Sequence, residues 1–177
     1  MLDGRGRSQG VPMSNPMSTP PAEYVQATIP GATVKAGPLG LNARLHTIVI
    51  TNYRLLFVRS TTADFRRIAA ELTQQARDAG KGRIGQWGAQ QRAQHVLAQE
   101  CAAMAPADLL AKHPNNFAID RATVTKLKLK RVENYETSEN RLSIKTTGKN
   151  YKLLLNGISV ADARQTFLNA GLKQGLL

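Results

Sequence analysis

Cysteine is nearly absent: Cys101 alone stands among 177 residues, which excludes an internal disulfide and any Cys-x-x-Cys motif. Such a chain suits a reducing compartment, so a cytoplasmic location is expected. Histidine is also scarce. His46, His95 and His113 lie far apart, no H-E-x-x-H spacing occurs, and no metal site or cofactor is expected. No apolar run approaches the roughly 18 to 20 residues that cross a bilayer. Arg5 and Arg7 near the start have no apolar segment behind them, so no leader is expected. Nucleophile elbows, Walker loops and dinucleotide loops are missing too, and the glycines around Gly80-Lys81-Gly82-Arg83 have no strand before them. The chain reads as non-enzymatic. Aromatic residues make up only 5%, so the core has to be mainly aliphatic.

What the sequence has in excess is positive charge. Twenty-four Lys and Arg face 12 Asp and Glu, for a net +12 and a pI near 10.4, and residues 114–177 hold eleven of those cations against five carboxylates. Such a balance favours an anionic partner: an acidic lipid or membrane surface, an acidic protein, or nucleic acid.

The order of elements follows from hydrophobic period and turn residues. Residues 1–22 carry Gly, Ser, Pro and Asn without periodicity and read as a disordered tail. Ala32 to Ala36 reads as a short strand before a Gly37-Pro38-Leu39-Gly40 turn. Leu45 to Thr51 and Arg54 to Arg59 form a hairpin reversing at Thr51-Asn52-Tyr53. After Ser60 the period lengthens to about 3.6, with Phe65, Ile68, Leu72 and Ala76 on one stripe, Thr62 as the cap and Gly80 as the stop. A second helix runs from Ile84 to Met104, and a short third one, Ala107 to Lys112, follows Pro106. Strands resume at Asn116–Asp120, Val124–Val132, Arg141–Thr146 and Tyr151–Asn156. Ser159 then caps a last helix whose stripe is Val160, Ala163, Phe167 and Leu168, ended by Gly171. The reading is α+β: a seven-stranded antiparallel sandwich or partly open barrel, capped by a C-terminal helix and interrupted between strands 3 and 4 by a helical hairpin.

Three strands, helices, four strands and a closing helix resemble the pleckstrin-homology-like (PH-like) superfold, particularly its bacterial and GRAM-type members. The resemblance is carried by Ile48 to Val58 (IVITNYRLLFV) and Asn116 to Leu129 (NFAIDRATVTKLKL), and it covers residues 23–61 and 114–177. Residues 62–113 stand outside it as an inserted helical element. The resemblance implies a binding module for phosphoinositides, other acidic lipids or protein segments, and supplies no catalytic set. Carried onto this chain, it points to Lys35 and Arg44, beside the first loops, as headgroup ligands.

Alternation singles out a second set of candidates. In Val124–Val132, Leu127 and Leu129 point one way and Lys126, Lys128 and Lys130 the other. If Leu142, Ile144, Tyr151, Leu153 and Leu155 face inward, Lys145 and Lys152 join those three outside. The chain is therefore expected to bind an anionic membrane surface, as a peripheral protein, or an acidic protein segment. Nucleic acid is the alternative, with Tyr135 and Tyr151 as the only nearby aromatic rings. The amphipathic helices of residues 62–113 fit a helical hairpin packed on itself or the sheet, a partner arm, or a contact with a second copy. The sheet alone holds enough inward Ile, Val, Leu and Phe that removing these helices is expected to leave it folded.

Overall fold

The computed structural model describes residues 21–36, 42–80, 83–133 and 138–173, without the side chains of 35–36, 42 and 83–91. Strands β1 (Val25–Ala36), β2 (Asn42–Thr51) and β3 (Arg54–Arg59) come first. Helices α1 (Thr62–Asp78), α2 (Arg83–Ala102) and α3 (Pro106–Ala111) follow, then β4 (Phe117–Asp120), β5 (Val124–Glu133), β6 (Ser138–Thr146), β7 (Asn150–Leu155) and α4 (Val160–Asn169). The strands form one antiparallel sheet in the order β4-β3-β2-β1-β7-β6-β5. It is a single open sheet, not two stacked ones, with β4 and β5 at its two edges, and they are joined by a 3-10 turn at Arg121–Thr123.

The long first strand makes this possible. β1 runs well beyond the expected Ala32–Ala36 because its N-terminal part pairs with β2 while Ala32–Val34 pairs with both β2 and β7. Between these parts lies a bulge at Pro30-Gly31, where the register shifts. Proline has no N–H to withhold from the ladder there, and Gly31 takes φ 67°, open to glycine at no steric cost. The Gly31 carbonyl accepts the Asn156 amide at 2.7 Å, and a Cβ at Gly31 would overlap the Asn156 carbonyl. The strand therefore turns a corner and carries the sheet from one half to the other.

Rolling lets all seven strands and α4 share one core. Ile29, Ile48, Ile50, Leu55, Phe57, Ile119, Leu127, Leu129, Leu142, Ile144, Leu153 and Leu155 meet Ala163, Phe167, Ala170 and Leu172 there. Leu168, expected on the helix's apolar stripe, is instead 37% exposed; Ala170 and Leu172, past the last helical residue and on either side of Gly171, take its place. Ser159 caps α4 as expected, its hydroxyl accepting the Asp162 amide at 3.0 Å.

The hairpin signature Thr51-Asn52-Tyr53-Arg54 is a lock for the incoming chain. The Thr51 hydroxyl accepts the Arg54 amide at 2.8 Å and lies 2.7 Å from Glu23 Oε1. Arg54 grips both Glu23 oxygens, at 3.0 and 2.5 Å, and Tyr53 Oη donates to the Pro21 carbonyl at 2.7 Å. The Arg54 hydrogen bonds hold the Glu23 carboxyl below its usual pKa despite partial burial.

The helices between β3 and β4 form two further layers on the outside of the first half-sheet. Val49, Leu56 and Val58 point away from the main core and are covered by Cys101 of α2 and Leu109 of α3. One and two turns earlier along α2, Leu97 and Ala93 pack against Ile68 of α1, on the same i, i+4, i+8 stripe as Cys101. The cap of α1 falls one residue before the expected Thr62: Thr61 Oγ accepts the Asp64 amide at 3.1 Å and Asp64 returns a bond to the Thr61 amide at 2.9 Å. Burial alone would raise the Asp64 carboxyl, but these bonds and Lys112 hold it below its usual value. The Gly37-Pro38-Leu39-Gly40 turn expected from the sequence lies outside the described residues.

Candidate anion-binding face and mouth

Strand alternation and register place the five candidate lysines together. β5 opposes β6 with Lys126 facing Lys145, Lys128 facing Ser143 and Lys130 facing Arg141; β6 opposes β7 with Ser143 facing Lys152. Directly opposed residues share a face, so Lys126, Lys128, Lys130, Lys145 and Lys152 form one surface, and all five are exposed. Leu127, Leu129, Leu142, Ile144, Leu153 and Leu155 fill the inner face, with Tyr151 half-buried beside them. Arg141, not singled out beforehand, lies on the lysine surface by the same alternation. Together Lys128, Lys130, Arg141, Ser143, Lys152 and Leu154 line an open concavity of about 460 Å³.

This surface is electrostatically unbalanced. Like charges directly opposite each other disfavour strand pairing by a few tenths to about 1 kcal/mol per pair, and two such pairs stand here. Arg141 is offset by Glu139 at 2.7 Å; none of the five lysines is in an ion pair among the described residues. Successive lysines along β5 recur every second residue, about 6.6 to 6.8 Å apart.

Of the other two candidates, Arg44 does not join them. Arg44 stands at the start of β2, opposite Val34, with its Nη1 donating to Asn115 Oδ1 at 2.9 Å; the Lys35 side chain lies outside the described residues. Arg44 rims a second concavity, about 570 Å³, formed by Val34, His46, Asn115, Phe117, Ala118, Lys149, Asn150, Tyr151 and Lys152. Lys152 borders both hollows. The wall of this mouth is aromatic: Phe117 stacks on Phe57 at 4.5 Å and lies nearly parallel to Tyr151 at 5.9 Å, with His46 edge-on to Phe117 at 6.0 Å. Lys149 Nζ sits 5.1 Å above the Tyr151 ring.

His46 is the least expected member, because its sequence neighbours suggest only a buried strand. Its ring is 2% exposed, and its Nδ1 meets the Arg44 carbonyl at 2.9 Å. A carbonyl accepts only, so Nδ1 carries the hydrogen and Nε2 presents a lone pair. Burial, followed by the charges of Arg59, Arg44 and His113, holds its pKa below the usual value, which keeps the ring neutral.

Other residues weighed from the sequence fall elsewhere. Tyr151 faces inward and is stacked, which removes it as a platform for bases beside the lysines, and Tyr135 lies outside the described residues. Cys101 is buried, and burial pushes its thiol up to about 11, so the thiolate a nucleophile needs is scarce at neutral pH. Among the described residues no helix is long and apolar enough to cross a membrane. No protein-family model matches the chain, and neither the curated proteins nor the solved structures contain a match.

Proposed function

We propose that the chain is a non-catalytic binding module of PH-like architecture whose lysine face docks on an anionic membrane surface. Support for the architecture comes from the strand order, in which β1 bridges the β2–β4 and β7–β5 halves, and from α4, which follows β7 into the core between them. The binding role rests on one observation: five exposed lysines on one face, two of their cross-strand pairings like-charged, with no carboxylate partner among the described residues. Strand pairing is strained by that arrangement in isolation and relieved when an anion lies against it. Each lysine near an acidic bilayer contributes about 1 kcal/mol, so five together give about 5 kcal/mol, or three to four decades in affinity.

Co-sedimentation with phosphatidylserine-containing vesicles at low salt tests this reading. Binding is expected, with strong weakening as ionic strength rises and loss when Lys126, Lys128, Lys130, Lys145 and Lys152 are changed to Glu. Equal binding by that variant would remove the face from consideration. Binding of an acidic peptide but not of vesicles would move the partner from lipid to protein. A gel shift of single-stranded RNA that falls steeply with salt would move it to nucleic acid.

A further inference from the structure

A bilayer that meets a flat cationic sheet gains from every lysine alike, and a lysine at the centre of the face would serve it best. The centre is instead a serine. Ser143 of β6 stands directly between Lys128 of β5 and Lys152 of β7, with the opposed Cβ atoms about 5 Å away on either side. Along its own strand Arg141 and Lys145 precede and follow it on the same face at about 6.8 Å, and Lys130 and Lys126 lie on the diagonals. Six cations thus surround one small residue, and a short side chain among long ones leaves a dip. Lys128, Lys130, Arg141 and Lys152 line the hollow of about 460 Å³ together with Ser143. Ser143 is half-buried, and its hydroxyl takes part in no hydrogen bond among the described residues. Glu139 engages Arg141 through Nε and Nη2, so Nη1 keeps its donors.

We propose that this hollow is a socket for a terminal phosphate, and that the face therefore docks on bilayers containing phosphatidic acid, whose headgroup is a phosphomonoester, in preference to diester lipids of equal charge. The inference rests on the docking reading above and names a lipid for it. A phosphomonoester carries about 1.5 to 2 negative charges and three strong acceptor oxygens, whereas a phosphodiester carries one charge and has an ester substituent on two sides. Cations all around Ser143 match oxygens all around a terminal phosphorus, and charge-assisted bonds of this kind are roughly twice as strong as neutral ones. Lys128 and Lys152 wall the hollow on two sides and the sheet closes it below, so the anion enters end-on, as a terminal phosphate does and one flanked by two esters does not. The Ser143 hydroxyl donates to the innermost oxygen. Apart from that hydroxyl, the side chains lining the hollow are lysine, arginine and leucine, none of which accepts a hydrogen bond. The hydroxyls of a sugar or inositol ring find no acceptor there, so the bare phosphate is favoured over a ring that carries one.

The full chain is titrated with phosphatidylcholine vesicles containing phosphatidic acid, phosphatidylglycerol, phosphatidylserine or phosphatidylinositol 4-phosphate, their surface potentials matched. Phosphatidic acid is expected to bind about tenfold more tightly than the other three, the effect of roughly one charge-assisted hydrogen bond. Ser143→Leu fills the hollow without altering the charge; it is expected to bring phosphatidic acid down to the level of phosphatidylglycerol and to leave phosphatidylglycerol binding as it was. Ser143→Lys separates the socket from simple attraction. If charge alone acts, the added cation tightens binding to every anionic vesicle and keeps their order, whereas filling the socket abolishes the preference for phosphatidic acid. Should Ser143→Lys fail to fold, Ser143→Leu, on the outer face of the same strand, decides alone. Equal binding of phosphatidic acid and phosphatidylglycerol, or a preference that survives Ser143→Leu, would overturn the socket and leave the docking reading in place; if no anionic vesicle binds, both fall. A preference for phosphatidylinositol 4-phosphate would overturn it because a ring would then be recognised. Glycerol 3-phosphate binding in solution as tightly as the vesicles do would overturn it because the ligand would then be a free phosphate ester.

Discussion

Replacing residues 62–113 with a short Gly-Ser linker asks whether the helices belong to the core. The sheet face beneath α2 and α3 holds Val49, Leu56 and Val58, at 0%, 0% and 2% exposure, and Val49 and Leu56 are cross-strand partners. Uncovering three such side chains forfeits about 1.5 to 3 kcal/mol each, roughly 5 to 9 kcal/mol together. The shorter connection returns something: cutting a 52-residue loop to about six lowers the closure cost by about 2 kcal/mol. The net loss, about 3 to 7 kcal/mol, rivals the 5 to 15 kcal/mol that holds an ordinary domain together. The packing thus reverses the expectation drawn from the sheet's own apolar content. The truncated protein is expected to show no cooperative thermal transition, or one displaced far downward, and to aggregate. Adding Val49→Thr, Leu56→Thr and Val58→Thr to the same truncation should restore solubility more than stability. A cooperative melt of the simple truncation within a few degrees of the full chain would refute the reasoning, since it would mean that the helices shield no surface the sheet needs covered.

Gly31→Ala meets both a positive φ and the Asn156 carbonyl, and is expected to cost at least about 2 kcal/mol in urea unfolding. Gly80→Ala has a positive φ but open space around its Cβ and should cost about 1 kcal/mol; equal losses would show that the β1 corner tolerates a side chain. Cys101 should stay unreactive toward Ellman's reagent at pH 8 in the folded protein and react fully in denaturant, because burial both hides the thiol and raises its pKa to about 11; rapid native reaction would contradict the α2 packing. Acid should destabilise the fold through His46. Its folded pKa is depressed by burial, so below about pH 6.5 the unfolded chain takes up a proton that the folded ring refuses, and stability present above that pH is lost as the pH falls through the lower folded value. His46→Phe should remove this slope between pH 5 and 8, and an unchanged slope would assign it elsewhere.

Local pattern made most elements legible, and the exceptions share a physical cause. Strands with one buried face, such as β5 and β6, alternate cleanly. β1 escaped its full length because Thr28, Pro30 and Gly31 interrupt alternation at the bulge, and a proline inside a strand normally argues against one. The α1 cap was misplaced by one residue because Thr61 and Thr62 both carry hydroxyls, and only the reciprocal bond from Asp64 separates them. Leu168 follows Phe167 on the same helix, and an apolar residue one step away from the buried one is turned about 100° toward solvent.

The site divides along the same line. The lysine face needed nothing more than period two and the order of neighbouring strands, so Lys126, Lys128, Lys130, Lys145 and Lys152 were placed together from sequence. The mouth was not legible that way. His46, Phe117, Lys149 and Tyr151 come from β2, β4, the β6–β7 turn and β7, and β2 and β7 become neighbours of a common hollow only because β1 bends at Gly31 and joins them. His46 carries a further misleading signal: beside Thr47, Ile48 and Val49 in a buried strand, its polarity looks like an exception to the core rather than a feature of it. What changes its meaning is the Arg44 carbonyl, two residues earlier, which fixes the ring's hydrogen on Nδ1 and leaves the lone pair on Nε2. A contact between residues two apart sets the tautomer, but the distant corner in β1 brings the strands that carry His46 and Tyr151 around one hollow.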